Sequence, residues 1–138
     1  MVVAAGCGSK TTRPPASCLK GARVVEAALR AAPGPVSLAG GTRLSTCVYR
    51  AHSDSDLTTV GTIYTQVAGG LAAQVPRSER AAVQLGYLTG AVKRGASGTN
   101  GTAVELVRRL EQAAGLDGPP PSRRAAYARG IAAGARSG

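Results

Sequence analysis

The stretch His52-Ser53-Asp54-Ser55-Asp56 gathers the single histidine of the chain with two carboxylates and two hydroxyls, five positions after Cys47. A thiol beside an imidazole is the raw material of a nucleophile pair, and clustered carboxylates with hydroxyls can hold a small hard cation. Both uses compete with a simpler one. Ser53 is well placed to cap a helix, Asp54 and Asp56 would sit in its first turn, and a crosslink would consume Cys47. One His, three Cys and seven carboxylates in 138 residues leave little material for catalysis. The expectation is therefore a non-enzymatic protein without a cofactor. No CxxC or HxxxH spacing is present, so no metal site is expected either.

A second candidate lies at Lys93-Arg94, followed by Gly95-Ala-Ser-Gly-Thr-Asn-Gly101 and Thr102. Exposed N–H groups at the start of a helix, next to two cations, could receive an anion, with Lys93, Arg94, Gly98, Gly101 and Thr102 as the set. The signal is weak. The loop lacks the Gly-Lys-Ser/Thr ending of a P-loop, and a helical rather than a strand pattern precedes it. A plain interhelical loop is the preferred reading. A helix-turn-helix reading fails because the loop is too long and the next helix mixes Glu105 and Glu111 with Arg108-Arg109.

Fourteen Arg and three Lys against seven acids give a net charge of +10. The excess is spread along the chain, and only residues 51–74 are net acidic, so there is no compact basic block. Such a chain is drawn weakly to polyanions of any kind. With no Trp or Phe and four Tyr, base-stacking platforms are not expected, which disfavours specific nucleic-acid recognition. The bland alternative is that these arginines simply solvate the surface.

Location is read from the cysteines. Met1-Val-Val-Ala-Ala-Gly-Cys7 ends an apolar run with small residues before a cysteine, and a polar, Pro-containing stretch suited to a flexible tether follows. A signal peptide needs an apolar stretch of about 7 to 15 residues, so the true start is expected upstream. With Cys7 as a lipidation candidate, Cys18 and Cys47 remain as an even pair. Their pairing would close a loop of roughly 30 residues, worth about 3 to 4 kcal/mol in the chain-entropy model. Two small buried thiols are the competing reading. No later stretch is apolar for the ~18 residues a membrane span needs.

These residues must be positioned by helices. Cys18, Ala22, Val25, Leu29 and Ala32 make one apolar stripe, predicting a helix over about 17–32 that ends at Pro33-Gly34-Pro35. Residues 42–51 fit either a helix or a strand, and the helix is preferred because a lone strand has no partner. Ser53 opens a helix over 54–74, weakened at Gly69-Gly70, and Pro76 and Ser78 open another over 77–94. Thr102 with Glu105 predicts a capping box for a helix over 102–114. Ser122 would cap a last helix over 123–136, beyond the stiff Pro119-Pro120-Pro121. Gly86 and Gly90, one turn apart, predict close approach of a neighbouring helix, with the antiparallel 102–114 helix as the partner. The expected fold is all-α, an up-and-down type bundle of four to five helices. Residues 1–16 form a signal-peptide remnant and tether, 17–118 the bundle, and 119–138 a Pro-rich spacer and C-terminal helix. Val, Leu and Ile total 26 residues, as many as Ala alone, so the core must be thin.

Taken together, Ala-Gly-Cys7, Cys18-Leu-Lys-Gly-Ala-Arg, Leu44-Ser-Thr-Cys-Val, Asp56-Leu-Thr-Thr-Val-Gly, Leu85-Gly-Tyr-Leu-Thr-Gly-Ala-Val-Lys-Arg-Gly-Ala and Glu105-Leu-Val-Arg-Arg-Leu-Glu resemble a group of small uncharacterised lipoproteins or secreted proteins of high-GC Gram-positive bacteria. The resemblance implies an exported helical domain with Cys18 and Cys47 paired, and it transfers no catalytic residue. The functional expectation is an extracytoplasmic envelope protein, anchored to the membrane through Cys7 or secreted. It would bind a protein partner or an anionic envelope component. The alternative is a cytoplasmic basic helical protein that binds nucleic acid without sequence specificity.

Overall fold

The computed structural model describes residues 13–138, which form six α-helices and no strand among the described residues. These are α1 (Ala22–Leu29), α2 (Leu44–Tyr49), α3 (Asp54–Gln74), α4 (Glu79–Ala96), α5 (Val104–Ala113) and α6 (Arg124–Ser137), with short 3-10 turns before α1, α2, α4 and α6. The all-α bundle expected from periodicity is present.

Helix α4 is the axis of the molecule. Every residue from Ala81 to Val92 is buried, a segment without a single charged side chain. A helix that is uncharged all round satisfies its hydrophobic surface only by being enclosed. The other helices do this: α2, α3, α5 and α6 all pack on α4, and the α6 contact is by far the most extensive. The polar side chains of this buried segment are bonded, as burial requires. Gln84 Nε2 donates to the Leu29 carbonyl at 3.2 Å, and Thr89 Oγ1 donates to the Leu85 carbonyl at 2.9 Å. The Tyr87 hydroxyl accepts from the Val36 N–H at 3.0 Å and lies 3.0 Å from Ser137 Oγ. On α3, Tyr64 donates to the Leu44 carbonyl at 3.0 Å, and burial pushes its phenol above the ordinary tyrosine range, so it stays a donor.

The α4–α6 contact rests on four glycines. A Cβ on Gly86 would fall 2.2 Å from the Tyr127 carbonyl oxygen, and one on Gly90 would fall 2.2 Å from that of Ile131. In return, a Cβ on Gly130 would fall 2.2 Å from the Val83 oxygen, and one on Gly134 2.1 Å from the Tyr87 oxygen. Positions 83 and 87 thus meet 130 and 134 in the same order, so the two helices run parallel, with α5 as part of the return connection. The close approach expected at Gly86 and Gly90 is found, but the neighbour is α6 and not the 102–114 helix. A second glycine pair at the same four-residue spacing on α6 lets both backbones approach, whereas α5 offers only Leu106 and Leu110 at its buried face.

Three further expectations are corrected by local geometry. Gly21 adopts φ +114°, which divides the 17–32 stripe into a 3-10 turn, Ala16–Leu19, and the shorter α1. Thr102 does not cap α5: its hydroxyl donates to the Thr99 carbonyl at 2.9 Å, and Glu105 turns to Arg108 and Arg109 instead. No side chain caps α6, and Ser122 lies within the preceding 3-10 turn. By contrast, Ser53 and Ser78 accept the Asp56 and Ala81 N–H groups at 3.0 and 3.1 Å, and α3 runs unbroken through Gly69-Gly70.

Several arginines serve the ends of helices. Arg80 donates to the Arg30 carbonyl at the end of α1, and Arg123 to the Val75 carbonyl at the end of α3, each at 3.0 Å. Arg94 donates to the Ala135 and Arg136 carbonyls at the end of α6. Each meets carbonyls at the C-terminal, negative end of a helix dipole. Part of the Arg excess is thus a packing device.

Candidate functional site

Cys7 lies outside the described residues. Cys18 and Cys47 are brought together: their Cα atoms are 5.5 Å apart, the sulfurs are at disulfide distance, and both residues are buried. Cys18 sits in the 3-10 turn before α1 and Cys47 on the inward face of α2, so the crosslink fastens the start of the described chain to a helix that packs on α4. Cys47 is therefore not available to His52 as a nucleophile. His52 instead sets its ring edge-on to Tyr49, with centroids 6.1 Å apart. Asp56 is buried and lies 3.6 Å from Arg13. No group of three metal-ligating side chains occurs among the described residues, and no helix among them is long and apolar enough to cross a membrane.

The five anion-site candidates are separated. Lys93 pairs with Glu111 at 2.5 Å across α4 and α5. Gly101 has φ +88° and stands in the turn before α5, while Thr102 faces a different groove, between α3 and α5. Arg94 and Gly98 do come together, with partners that lie far away in sequence. They line a cleft of about 390 Å³ whose opposite wall is Arg43, Thr46 and Tyr49 from α2 and the residue before it. Two glycines make this possible. A Cβ at Gly95 would fall 2.4 Å from the Ser45 carbonyl oxygen, and one at Gly98 would fall 2.6 Å from the Tyr49 ring. Their lack of a side chain is what lets α2 lie across the end of α4.

No Asp or Glu side chain lines the cleft, and Ser45 on its wall donates to the Gly138 backbone oxygen at 2.6 Å. Arg94 is half-buried and fixed through Nη1 by the α6 carbonyls, leaving its other guanidinium nitrogens for the cleft. Arg43 is exposed and has no ion-pair or hydrogen-bond partner among the described residues. Tyr49 is 51% exposed, one of the few large hydrophobic side chains so open. Beside the cleft, Glu111 is committed to Lys93, and Glu105 on α5 to Arg108 and Arg109. Hydrogen bonds from Arg108 and then Arg109 hold the Glu105 carboxyl down at about 2.

Sequence reasoning missed Arg43, Thr46 and Tyr49. Nothing in residues 43–49 announces contact with 94–98, and the one available hint was an unexplained pair of glycines, Gly95 and Gly98, just where a loop reading made them unremarkable. The second groove, of about 310 Å³, is lined by Leu57, Gly61, Thr62, Thr65, Leu106 and Arg109 among others. Thr65 Oγ1 is buried there without a hydrogen-bond partner. No protein-family model, curated protein or solved structure matches the chain.

Proposed function

We propose that the protein works outside the cytoplasm as a non-enzymatic, disulfide-stabilised helical module of the cell envelope, tethered through Cys7 or released, and that it associates with an anionic envelope component. The observation that carries this reading is the Cys18–Cys47 pair, buried at disulfide distance in a chain with a thin Val/Leu/Ala core. Such crosslinks persist in oxidising compartments, where small domains use them to supplement limited burial. A net charge of +10 supplies the attraction to an anionic surface. The resemblance to small lipoproteins and secreted proteins, which implies an exported helical domain with these two cysteines paired, is in line with this reading.

The test is fractionation of the native cells with thiol counting on the recovered protein, followed by co-sedimentation with vesicles of phosphatidylglycerol or of phosphatidylcholine. The reading expects an extracytoplasmic protein with Cys18 and Cys47 oxidised, pelleting with the anionic vesicles only and released by salt. A cytosolic protein with both thiols reduced overturns the location. In that event, salt-sensitive binding to duplex DNA would support the nucleic-acid alternative.

A further inference from the structure

The cleft between α2 and the end of α4 has the composition of a ligand site more than of a solvated surface. Two arginines line it from separate elements, Arg43 from the residue before α2 and Arg94 from α4, with no Asp or Glu side chain among the lining residues. The Thr46 hydroxyl has no hydrogen-bond partner among the described residues. The Tyr49 ring is held in place by Gly98 on one side and by the His52 edge, yet half of it is open. The volume, about 390 Å³, falls within the range of small-molecule pockets.

We infer that this cleft binds the phosphate ester of a small polyol or sugar. The reading rests on the proposed attraction to anionic envelope components and names the chemistry of one site for it. A planar carboxylate is satisfied by a single guanidinium fork, whereas the tetrahedral oxygens of a phosphate can accept from two forks approaching from different directions. Arg94 is preorganised for this by its bonds to the α6 carbonyls, which lowers the ordering cost of binding. Arg43 closes on the anion from the opposite wall. The open part of the Tyr49 ring offers a flat surface against which the C–H faces of a polyol or sugar can pack, and Thr46 supplies a hydroxyl to its oxygens. Phosphate contacts alone would give an adhesive patch; the ring and hydroxyl beside them make the site selective for an ester over the free ion.

The experiment is titration of the intact, oxidised protein, followed by NMR at about 150 mM salt, where diffuse surface attraction is largely screened. The probes are sn-glycerol 3-phosphate, glycerol, inorganic phosphate and phosphatidylglycerol vesicles. Glycerol 3-phosphate should perturb the Tyr49 ring and the Gly98 and Thr46 amides at millimolar concentration or below, more tightly than inorganic phosphate, and glycerol should do nothing. Arg43→Gln should weaken binding about tenfold or more, as expected for losing charge-assisted hydrogen bonds. Tyr49→Ala should abolish the preference for the ester over the free ion. Arg23→Gln, an equal change of charge on the exposed face of α1, should leave binding intact. Arg43-dependent binding to vesicles as well would identify a lipid headgroup as the source, and binding to glycerol 3-phosphate alone a soluble or polymer-borne ester. Absence of perturbation at the cleft, or equal effects of Arg43→Gln and Arg23→Gln, overturns the site. Vesicle binding that survives Arg43→Gln while the cleft stays silent refutes this inference alone and leaves the surface association standing.

Discussion

Replacing Gly86 by Ala probes the contact on which the whole arrangement of α4 and α6 depends. The added Cβ would lie 2.2 Å from the Tyr127 carbonyl oxygen, 3.0 Å from the Ile131 nitrogen and 3.1 Å from the Gly130 Cα. A carbon and a carbonyl oxygen normally approach to about 3.3 to 3.6 Å, so the helices must separate locally by about 1 Å. The obstructing atoms are backbone, and no side chain can swing away to relieve them. Overpacking of this kind costs about 1 to 3 kcal/mol, with backbone clashes at the upper end. Alanine recovers about 1 kcal/mol of helix propensity over glycine. The expected net loss is therefore about 2 kcal/mol, read as a fall of about 1 M in the urea midpoint with an unchanged slope. Gly130→Ala should behave alike, and the pair together should cost less than the two separately, because helices already parted accommodate the second methyl. Gly69→Ala is the internal control. Nothing lies within 4 Å of a Cβ there, and the residue is exposed in mid-helix, so it should gain about 0.5 to 1 kcal/mol. If Gly86→Ala is as stable as the parent while Gly69→Ala shows its gain, the packing argument is refuted.

Reduction of the Cys18–Cys47 crosslink should destabilise the protein by about 3 kcal/mol and lower its melting temperature by about 10 °C or more. Thiol titration of the native, unreduced protein should find neither residue reactive, and ready labelling of both would contradict the pairing. Glu105 should titrate near pH 2, because Arg108 and Arg109 hydrogen-bond its charged form. Since its folded value lies below the unfolded value of about 4.3, its stabilising effect is present above that pH and is lost as pH falls towards 2. Carboxyl-carbon NMR checks this, and a midpoint in the ordinary glutamate range would show that the two arginines do not hold it.

What could be read from the chain follows from where its signals are local. Helix α3 was legible from end to end, because Ser53 marks its start and Val60, Tyr64, Val67 and Leu71 trace a single buried stripe. Counting leaves Cys18 and Cys47 as a candidate pair, with two buried free thiols as the competing reading, and only the fold brings their sulfurs to disulfide distance. Helix α4 is legible as a helix from its opening at Ser78, and the absence of charge from Ala81 to Val92 requires its enclosure on every side. The partner of its glycines was misread because loop length favours the next helix in sequence. The matching spacing of Gly130 and Gly134 was the evidence that should have outweighed proximity. The cleft was half legible: Arg94 and Gly98 come from a segment that resembles an anion loop, but Arg43 and Tyr49 reach it only through the tertiary crossing of α2 over Gly95. That crossing depends on a backbone-to-backbone fit at one glycine, which no periodicity encodes.

The crosslink between Cys18 and Cys47 also sets how the molecule bears load. A pull applied upstream of residue 18 does not travel along the chain through α1 and the following turns. It crosses the sulfur bridge directly into α2, and α2 lies against the end of α4. The segment between the two cysteines, including α1, is thereby mechanically short-circuited and carries no tension while the bridge is intact. Resistance comes instead from the seat of α2 on Gly95 and from the Ser45 hydroxyl bonded to the Gly138 carbonyl at 2.6 Å. Reduction of the bridge would reroute the same force through α1, drawing Val25 and Leu29 out of the core before α2 was loaded.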